Sequence, residues 1–345
     1  MTMKLVTVDA QTIAGNPWLK AKGYLDAANQ LQVPATVLDT DGGVAFYISQ
    51  LAGLETTLYE TPYANITYLE DVSPTAGIPE YATHWNYRSY DGVTLGKFIG
   101  ANARDLPRVA QSAQLHQVEL GYAGLECHYT LDELRATSAT GMPIDTMQAE
   151  LAYRGSEEHS QTVAYFGDIP RKMQGLFNNT NVTKTAAVVN YKTATGQELF
   201  NMLNAPIFAV IKLSKNYHIP NTVRMFPDLW ERANSVLMTG FTDRTVMEHF
   251  KINNSYTLMT GQQLDIKVRY QLEAAALAAA GVANSNKDRY MVYDKSDRNL
   301  GLAKPIPFRM LAPQLEGLGI TVPCEYKMSG TEIRYPLCAQ YVDML

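Results

Sequence analysis

The chain of 345 residues carries 29 basic and 34 acidic residues, for a formal net charge of −5, and 46% of its residues are hydrophobic. This length can bury a sizeable core in one to three domains, and the composition excludes wholesale disorder. Proteins that bind nucleic acid tightly usually carry a basic surplus, so the acidic balance argues against DNA binding as the main function.

Residues 1–64 are loosely patterned and predict an extended N-terminal arm. After the turn Asp41-Gly42-Gly43, one short amphipathic helix is predicted from the helical spacing of Val44, Tyr47, Ile48 and Leu51. The first residues hold one lysine and a short apolar stretch cut by Asp9, which does not fit a secretory signal. Segments of this kind are poorly ordered unless tied down, so we expect the arm to lie against another surface.

Residues 82–122 are rich in Gly, Tyr and Arg and predict a long two-stranded hairpin. Apolar residues alternate at even positions up to Tyr122 and resume at odd positions from Leu125, so we predict a β-bulge at Ala123-Gly124. We interpret the glycines at 92, 96 and 100 as keeping the hairpin flexible or closely packed. A lone hairpin is marginally stable in water, so we expect this one to pack on a neighbouring subunit.

A kinked helical rod is predicted over about residues 130–166. Thr130-Leu-Asp-Glu133 has the form of a capping box, which marks a helix start. Pro143 interrupts that helix, because proline cannot donate a hydrogen bond and clashes with the preceding turn. A second helix starts at Asp145 and runs to about Phe166, where Gly167 ends it.

The remainder of the chain predicts mixed α/β structure that becomes rich in strands from about Pro305. A second capping box, Thr195-Gly-Gln-Glu198, precedes a helix with Leu199, Leu203 and Ile207 on one face. Further elements are predicted as a strand at 222–226, a helix opened by Pro227, a helix at about 243–250, and strands at 264–270 and 289–293. The apolar run at 272–283 is shorter than the roughly 18 residues of a membrane span.

Groups that could carry out chemistry do not converge in the sequence, so we predict no catalytic, cofactor-binding or metal-binding residues. None of the six histidines stands at a metal-ligand spacing from another histidine or a cysteine, and Cys127 and His128 would point to opposite faces of a strand. We interpret Glu157-Glu158-His159 as a solvated helix face. Three cysteines are predicted to be free, buried thiols: Cys127, Cys324 and Cys338.

Aromatic residues are frequent, with 21 tyrosines and three tryptophans. Such residues can stack on bases, but here no basic residues interleave with them in a nucleic-acid-binding pattern. Tyrosine is also enriched at protein interfaces, so we place these residues in the core and in contacts between subunits.

Three stretches of the sequence resemble the major capsid proteins of tailed bacteriophages, whose shared architecture is the Hong Kong 97 capsid fold. They are residues 87–109 (YRSYDGVTLGKFI with ARDLPRV), residues 129–182, and residues 287–343. The third is the most specific, because its Pro, Cys and Gly positions fall together in order. More narrowly, the chain resembles one branch of these proteins once known only as a domain of unknown function, although residues 186–263 match it only in outline.

The resemblance implies an α+β fold in which different regions of the chain have different structural roles. The extended loop would lie over an adjacent subunit, and the axial domain would gather around the five-fold and six-fold axes of a shell. The implied regions are an N-terminal arm (1–64), a peripheral domain (65–81, 123–175 and 315–345) with its spine helix at about 130–166, an extended loop (82–122) and an axial domain (176–314).

The implied function is that of a structural, non-enzymatic protein of the virion, assembled in the host bacterial cytoplasm. Its main partner would be itself, in hexamers and pentamers, with decoration, portal and scaffolding proteins as further candidate partners. It would enclose double-stranded DNA without sequence-specific binding and without a membrane. The chain starts at Met1 without a charged, helical segment, so we expect no built-in scaffolding region. Some relatives form a Lys–Asn cross-link; Lys97 lies in the loop, but residues 316–345 contain no asparagine, so we expect non-covalent assembly.

Two other functions remain open at this point. A bacterial nanocompartment shell protein of the encapsulin type shares the fold but encloses enzymes instead of DNA. A soluble α/β hydrolase is the second alternative, because catalytic triads are assembled in space and can be invisible in the sequence.

Overall fold

The computed structural model describes residues 3–7, 30–34, 64–93, 98, 108–133, 135, 144–240, 243–284 and 286–345. The chain forms two units, residues 1–64 and residues 65–345. In the first unit, β1 (Met3–Thr7) pairs antiparallel with β2 (Gln30–Pro34). The helix predicted around Val44 lies outside the described residues.

The second unit mixes helices and strands along its whole length. Its described helices are α1 (Tyr68–Asp71), α2 (Ile144–Phe166), α3 (Gly196–Leu213), α4 (Pro227–Ser235), α5 (Val246–Asn253), α6 (Ser255–Thr260) and α7 (Ala274–Ala279). Its described strands are β3 (Pro74–Thr75), β4 (His84–Val93), β5 (Ala110–Glu119), β6 (Gly121–Thr130), β7 (Gly167–Asp168), β8 (Met173–Gln174), β9 (Thr183–Ala186), β10 (Thr222–Met225), β11 (Asp265–Val268), β12 (Arg289–Tyr293), β13 (Leu300–Ala303), β14 (Ile306–Met310), β15 (Gln314–Glu316), β16 (Gly319–Met328), β17 (Thr331–Ile333) and β18 (Ala339–Asp343).

A five-stranded mixed sheet in the order β11-β10-β12-β18-β9 forms the centre of this unit. Every residue of β10 and β12 is buried, because both faces of the sheet are covered. Helix α3 packs on the sheet through Leu199, Leu203 and Ile207, all fully buried. The helical spacing of these three residues in the sequence therefore predicted both the helix and its core-facing side.

Helix starts in this region follow the capping chemistry of the sequence. The predicted box at Thr195 and Glu198 is confirmed: the Thr195 hydroxyl accepts a hydrogen bond from the Glu198 amide, and the Glu198 carboxylate accepts one from the Thr195 amide. Helix α4 begins with Pro227, as predicted. The helix predicted at about 243–250 begins later, because Thr245 and Glu248 form a third capping box ahead of Val246.

The long helix α2 ends where the sequence predicted. Gly167 follows Phe166 with φ +78°, and a Cβ atom there would lie 2.2 Å from the Met173 carbonyl oxygen. Only glycine fits this left-handed and crowded position. At the other end of the predicted rod, Thr130 and Glu133 exchange the two hydrogen bonds of a capping box, and residues 131–133 are helical.

The predicted bulge at Ala123-Gly124 is wrong. Strand β6 pairs with β16 in unbroken antiparallel register from Gly121↔Met328 to Thr130↔Gly319. The apolar alternation shifts at Leu120 instead, where the chain leaves the β4–β5 hairpin and enters a different sheet. A change of sheet and a bulge both shift the side-chain period, so the sequence pattern could not separate them.

A second, smaller core lies between this β6–β16 sheet and α2. It contains Cys127, Tyr129, Val322 and Cys324, with Phe308 packed against it. None of the helices in the described part of the chain is both long and apolar enough to cross a bilayer.

Candidate assembly interface

The predicted hairpin is confirmed as a long two-stranded ribbon. Strands β4 and β5 pair antiparallel over ten residues each, from His84↔Glu119 to Val93↔Ala110. No third strand joins this sheet within the described residues. Of the three glycines singled out in the sequence, Gly92 lies in β4, and Gly96 and Gly100 lie outside the described residues.

The base of the hairpin, residues 84–89 and 116–119, is fixed to the rest of the unit by aromatic and polar contacts. The Arg334 guanidinium lies 5.1 Å from the Trp85 ring centroid and 5.9 Å from that of Tyr87. The Tyr87 hydroxyl donates to Glu332 over 3.0 Å, and its ring stacks on His116 at 4.7 Å. Cation–π and charge-assisted contacts of this kind stabilise a fixed geometry.

Close packing at the base depends on Gly301 of β13. A Cβ atom at this position would lie 2.3 Å from the tip of the Trp85 ring and 2.8 Å from the Arg334 guanidinium. The absence of a side chain therefore lets the indole lie directly on the strand. Burial raises the pKa of Glu332, and the hydrogen bond from Tyr87 lowers it by less.

The outer hairpin, residues 90–92 and 110–115, is exposed on both faces. Two large apolar side chains stand on it, with Tyr90 63% and Leu115 64% exposed. A two-stranded ribbon with neither face covered buries too little apolar surface to be stable by itself. The outer hairpin therefore needs an external surface to be stable.

The interior of the same unit is held by a buried charge cluster centred on Asp71, which is fully buried. Its carboxylate accepts hydrogen bonds from Arg224 Nε at 2.6 Å, from Arg269 Nε at 2.7 Å and from the Tyr165 hydroxyl at 2.7 Å. Arg224 also donates to the Asp265 carboxylate over 2.7 Å. The cluster joins α1, α2 and the edge of the five-stranded sheet through charge-assisted bonds.

Burial by itself would raise the pKa of Asp71. The hydrogen bonds and positive charges of Arg269 and Arg224 outweigh burial and hold that pKa below its usual value. The carboxylate is therefore charged in the folded protein, where it faces the positive charges of both arginines. No sequence pattern pointed to this cluster, because Asp71 is 153 residues from Arg224 and 198 residues from Arg269.

The interpretation of Glu157-Glu158-His159 as a solvated helix face is wrong for Glu157. That carboxylate is buried, accepts from the Tyr68 hydroxyl over 2.7 Å and pairs with Lys304 Nζ at 2.6 Å. Glu158 is exposed and pairs with Arg154 one turn earlier, and His159 contacts the Tyr326 hydroxyl at 2.7 Å. The three side chains diverge, as consecutive helical residues do, and one of them turns into the core.

The remaining candidate groups for chemistry are also dispersed. All three cysteines are free and buried, as predicted, and burial raises the pKa of Cys324 to about 11 and of Cys338 to about 12. Cys127 is buried and His128 is exposed on the opposite face of β6, also as predicted. Among the described residues, no three His, Cys, Asp or Glu side chains are grouped so as to hold a metal ion.

Comparison with protein families favours one of the alternatives. The model of the family described as "Major capsid protein" matches residues 96–345. The chain belongs to the major capsid protein family. This capsid protein is therefore a structural component of a capsid shell, and its place is in the virion. No curated protein sequence is similar enough to count as a relative.

Solved structures show that the capsid protein has the fold of phage capsids. It is similar to "The capsid of Myoviridae Phage XM1", with a TM-score of 0.72 and 12% identity over 86% of this chain and 98% of that chain. It is also similar to the capsid of a native GTA particle, with a TM-score of 0.59 and 10% identity over 89% and 99% of the two chains. A chain from Mycobacterium phage Bobi gives a TM-score of 0.58 and 11% identity over 86% and 97%.

Proposed function

We propose that copies of this capsid protein assemble non-covalently into pentamers and hexamers of an icosahedral shell that encloses double-stranded DNA. The observation that carries the proposal is the outer hairpin, which is exposed on both faces although the unit that bears it is well packed. In a shell built from copies of one chain, an adjacent copy supplies the missing surface. Many such contacts per subunit give a stable shell even if each one is weak.

We assign each region of the chain a separate role in the shell. Residues 82–122, with the β4–β5 hairpin, form the extended loop over the adjacent subunit, and residues 1–64 form the arm. Residues 65–81, 123–175 and 315–345 form the peripheral domain, with its spine helix at about 130–166. Residues 176–314 form the axial domain, whose contacts around the symmetry axes close into rings.

Three further features complete the proposal. The net charge of −5 favours enclosing DNA without tight or sequence-specific binding. Lys97 lies outside the described residues, and residues 316–345 hold no asparagine as a cross-link acceptor, which supports non-covalent assembly. We propose that the protein has no enzymatic activity. Beyond other copies of the chain, we propose decoration, portal and scaffolding proteins as its partners.

Of the two alternatives, the nanocompartment shell shares the architecture but would enclose an enzyme. The family match supports the phage shell over it. The hydrolase is the weaker alternative, because the family model that matches residues 96–345 is that of a capsid protein. Nuclease-protected DNA in purified particles, as opposed to a packaged enzyme, would separate the two shells.

The proposal is tested on purified full-length protein by gel filtration, electron microscopy and denaturing electrophoresis. We expect large shells or rings, and after boiling in detergent and reductant a single band near the chain mass of 38.3 kDa. A small, monodisperse oligomer would contradict assembly. A ladder of high-mass species that survives boiling would contradict the non-covalent contacts.

A further inference from the structure

A groove of about 390 Å³ runs between the edge strand β9, with the segment that follows it, and helix α3. Val342 and Tyr290 of the central sheet form its floor, and Ala205 and Ala209 of α3 form one wall. Its other wall carries Val188, which is 89% exposed. An apolar side chain on the rim of an open apolar groove marks a surface that other protein atoms can cover.

Two features mark this groove: it lies at the outer edge of its sheet, and it contains a buried polar atom that lacks a partner among the described residues. Strand β9 stands at the end of its sheet, so its outer edge is free to meet another surface. Gln340, which lines the groove, is only 5% exposed and donates to the Thr185 hydroxyl over 2.7 Å. The other polar atom of its amide, Oε1, is buried without a hydrogen-bond partner in the described part of the chain.

A protrusion of matching chemistry lies on the other side of α3. It consists of residues 252–264, which contain no charged side chain, and it exposes Ile252, Leu258 and Met259, with Leu258 71% exposed. The groove segment, residues 185–191, is likewise free of charge. Interfaces are depleted in charged residues at their centres, because each charge would have to lose its hydration.

The protrusion is firmly held in place. Helix α6 is capped by the Asn254 side chain, which accepts from the Thr257 amide over 2.7 Å, and it ends at Gly261 with φ +72°. The Asn204 side chain of α3 accepts from the amide of Ser255 over 2.9 Å. Phe200 of α3 packs on Phe250 of α5. By their positions around α3, Asn204 and Phe200 point away from the side of the helix that carries Ala205 and Ala209.

We propose that the groove receives the protrusion of a second copy of this chain, with Leu258 and Met259 entering beside Val188. The inference rests on the proposed assembly into rings and names the residues of one contact within them. Groove and protrusion lie on different sides of α3, so one copy can donate to the next while it accepts from the previous one. Contacts of this head-to-tail kind close into rings when the rotation between successive copies closes on itself.

The test is cysteine cross-linking in assembled particles. In the double variant Val188→Cys, Leu258→Cys, mild oxidation should join copies into a ladder of disulfide-linked multimers that reductant dissolves. Mixed assembly of the two single variants should give cross-linked dimers, whereas each single variant alone should give none. The matched control pairs Val188→Cys with Ile169→Cys, an exposed residue beyond α2, and should give no cross-link. The native cysteines are buried, so the background should be low.

Each outcome bears on a separate claim. Shells that form normally but give no ladder in the double variant would overturn the groove contact and leave shell assembly standing. Cross-linking of Val188→Cys alone would overturn the head-to-tail geometry, because it requires the groove to meet itself. Wild-type protein that forms no shells would instead contradict the proposed function. As a second readout, Ala205→Trp fills the groove from an exposed position and should block ring formation while the protein stays folded.

Discussion

In the body of the capsid protein, meaning the described part of residues 65–345 outside the hairpin, Asp71 is surrounded by two arginines and a tyrosine. In the outer hairpin, Tyr90 and Leu115 are covered by no described residue. The body therefore compensates the buried charge of Asp71 within the same chain. The outer hairpin exposes Tyr90 and Leu115 on one face of a two-stranded ribbon whose two faces are both uncovered by described residues. The two regions differ in where their partners lie: within the same chain for the body and, as we propose, in another copy for the hairpin.

This difference separates residues that fold the protomer from residues that build the shell. Changes in the body should lower the free energy of unfolding of the protomer and affect assembly only through it. Changes in the outer hairpin should leave that free energy almost unchanged and affect assembly directly. The hairpin base, fixed by Trp85, Tyr87 and Arg334, lies between these two cases.

The largest effect on the protomer is expected for Asp71→Asn. This change leaves Arg224 and Arg269 buried beside a neutral group, and removal of one partner from a buried ion pair costs about 3–5 kcal/mol. Urea unfolding at neutral pH should show the loss. Glu70→Gln is the matched control: Glu70 contacts Arg269 too but is half exposed, and such pairs contribute about 1 kcal/mol or less. Equal effects of the two changes would contradict the role of the buried cluster.

A smaller effect is expected for Gly301→Ala at the hairpin base. The new methyl group would lie 2.3 Å from the Trp85 ring, so the ring must move away from β13. Overpacking of this kind costs about 1–3 kcal/mol. Thermal unfolding and the fluorescence of Trp85 should report it. Gly92→Ala is the control, because a Cβ atom there meets no atom of the described residues closer than 3.9 Å. An unchanged melting temperature for Gly301→Ala would show that the indole does not lie on the strand.

The body and the hairpin base should also respond to pH in opposite directions. The pKa of Asp71 is lowered in the folded state, so its stabilisation is present above the unfolded value of about 3.9 and is lost as the pH falls through the folded pKa. The pKa of Glu332 is raised by burial, so its stabilisation is present below about 4.3 and is lost as the pH rises through the folded pKa. Acid should therefore remove the stabilisation that Asp71 gives the body and increase the stabilisation that Glu332 gives the hairpin base.

Two isosteric variants separate these signs. Relative to wild type, Asp71→Asn should be destabilising at pH 7 and less so at pH 3. The free energy of unfolding of Glu332→Gln, relative to wild type, should be higher at pH 7 than at pH 4, because wild-type Glu332 is protonated at the lower pH. Urea unfolding of each variant against wild type across this range checks both. If the two differences changed with pH in the same direction, the assigned shifts would be wrong.

The smallest effect on the protomer is expected for Leu115→Ser in the outer hairpin. Substitutions at exposed positions usually change stability by about 0.5 kcal/mol or less. The same change removes an apolar contact that we assign to an adjacent copy, so shells should form poorly or not at all. Sedimentation and electron microscopy measure assembly, and urea unfolding measures the protomer. Normal shells from this variant would show that the outer hairpin is not covered through Leu115.

Local patterns in the sequence predicted most of the elements that the structure describes. The Thr195 capping box, Pro227 and Gly167 each marked a helix boundary, because backbone chemistry at a helix end depends on neighbouring residues alone. The third capping box, at Thr245 and Glu248, carried the same signal and was missed. The hairpin was predicted over residues 82–122, partly from the alternation of its second limb, and strands β4 and β5 lie within that range, although β5 ends at Glu119.

Long-range pairing could not be predicted in the same way. The Asp71 cluster and the Glu157–Lys304 pair join residues that are far apart in the sequence, and no spacing announces such contacts. The bulge at Ala123-Gly124 was predicted from a real shift of period, but its cause was the change of sheet at Leu120. The groove beside β9 also depends on sheet order, which the sequence alone does not fix.

The central claim, that another copy completes the outer hairpin, is tested most directly by hydrogen exchange on the same protein before and after assembly. In unassembled protein, amides of residues 90–92 and 111–115 should exchange much faster than those of β12. In shells, the hairpin amides should become strongly protected while β12 stays unchanged. A hairpin that is equally protected in both states would contradict the account.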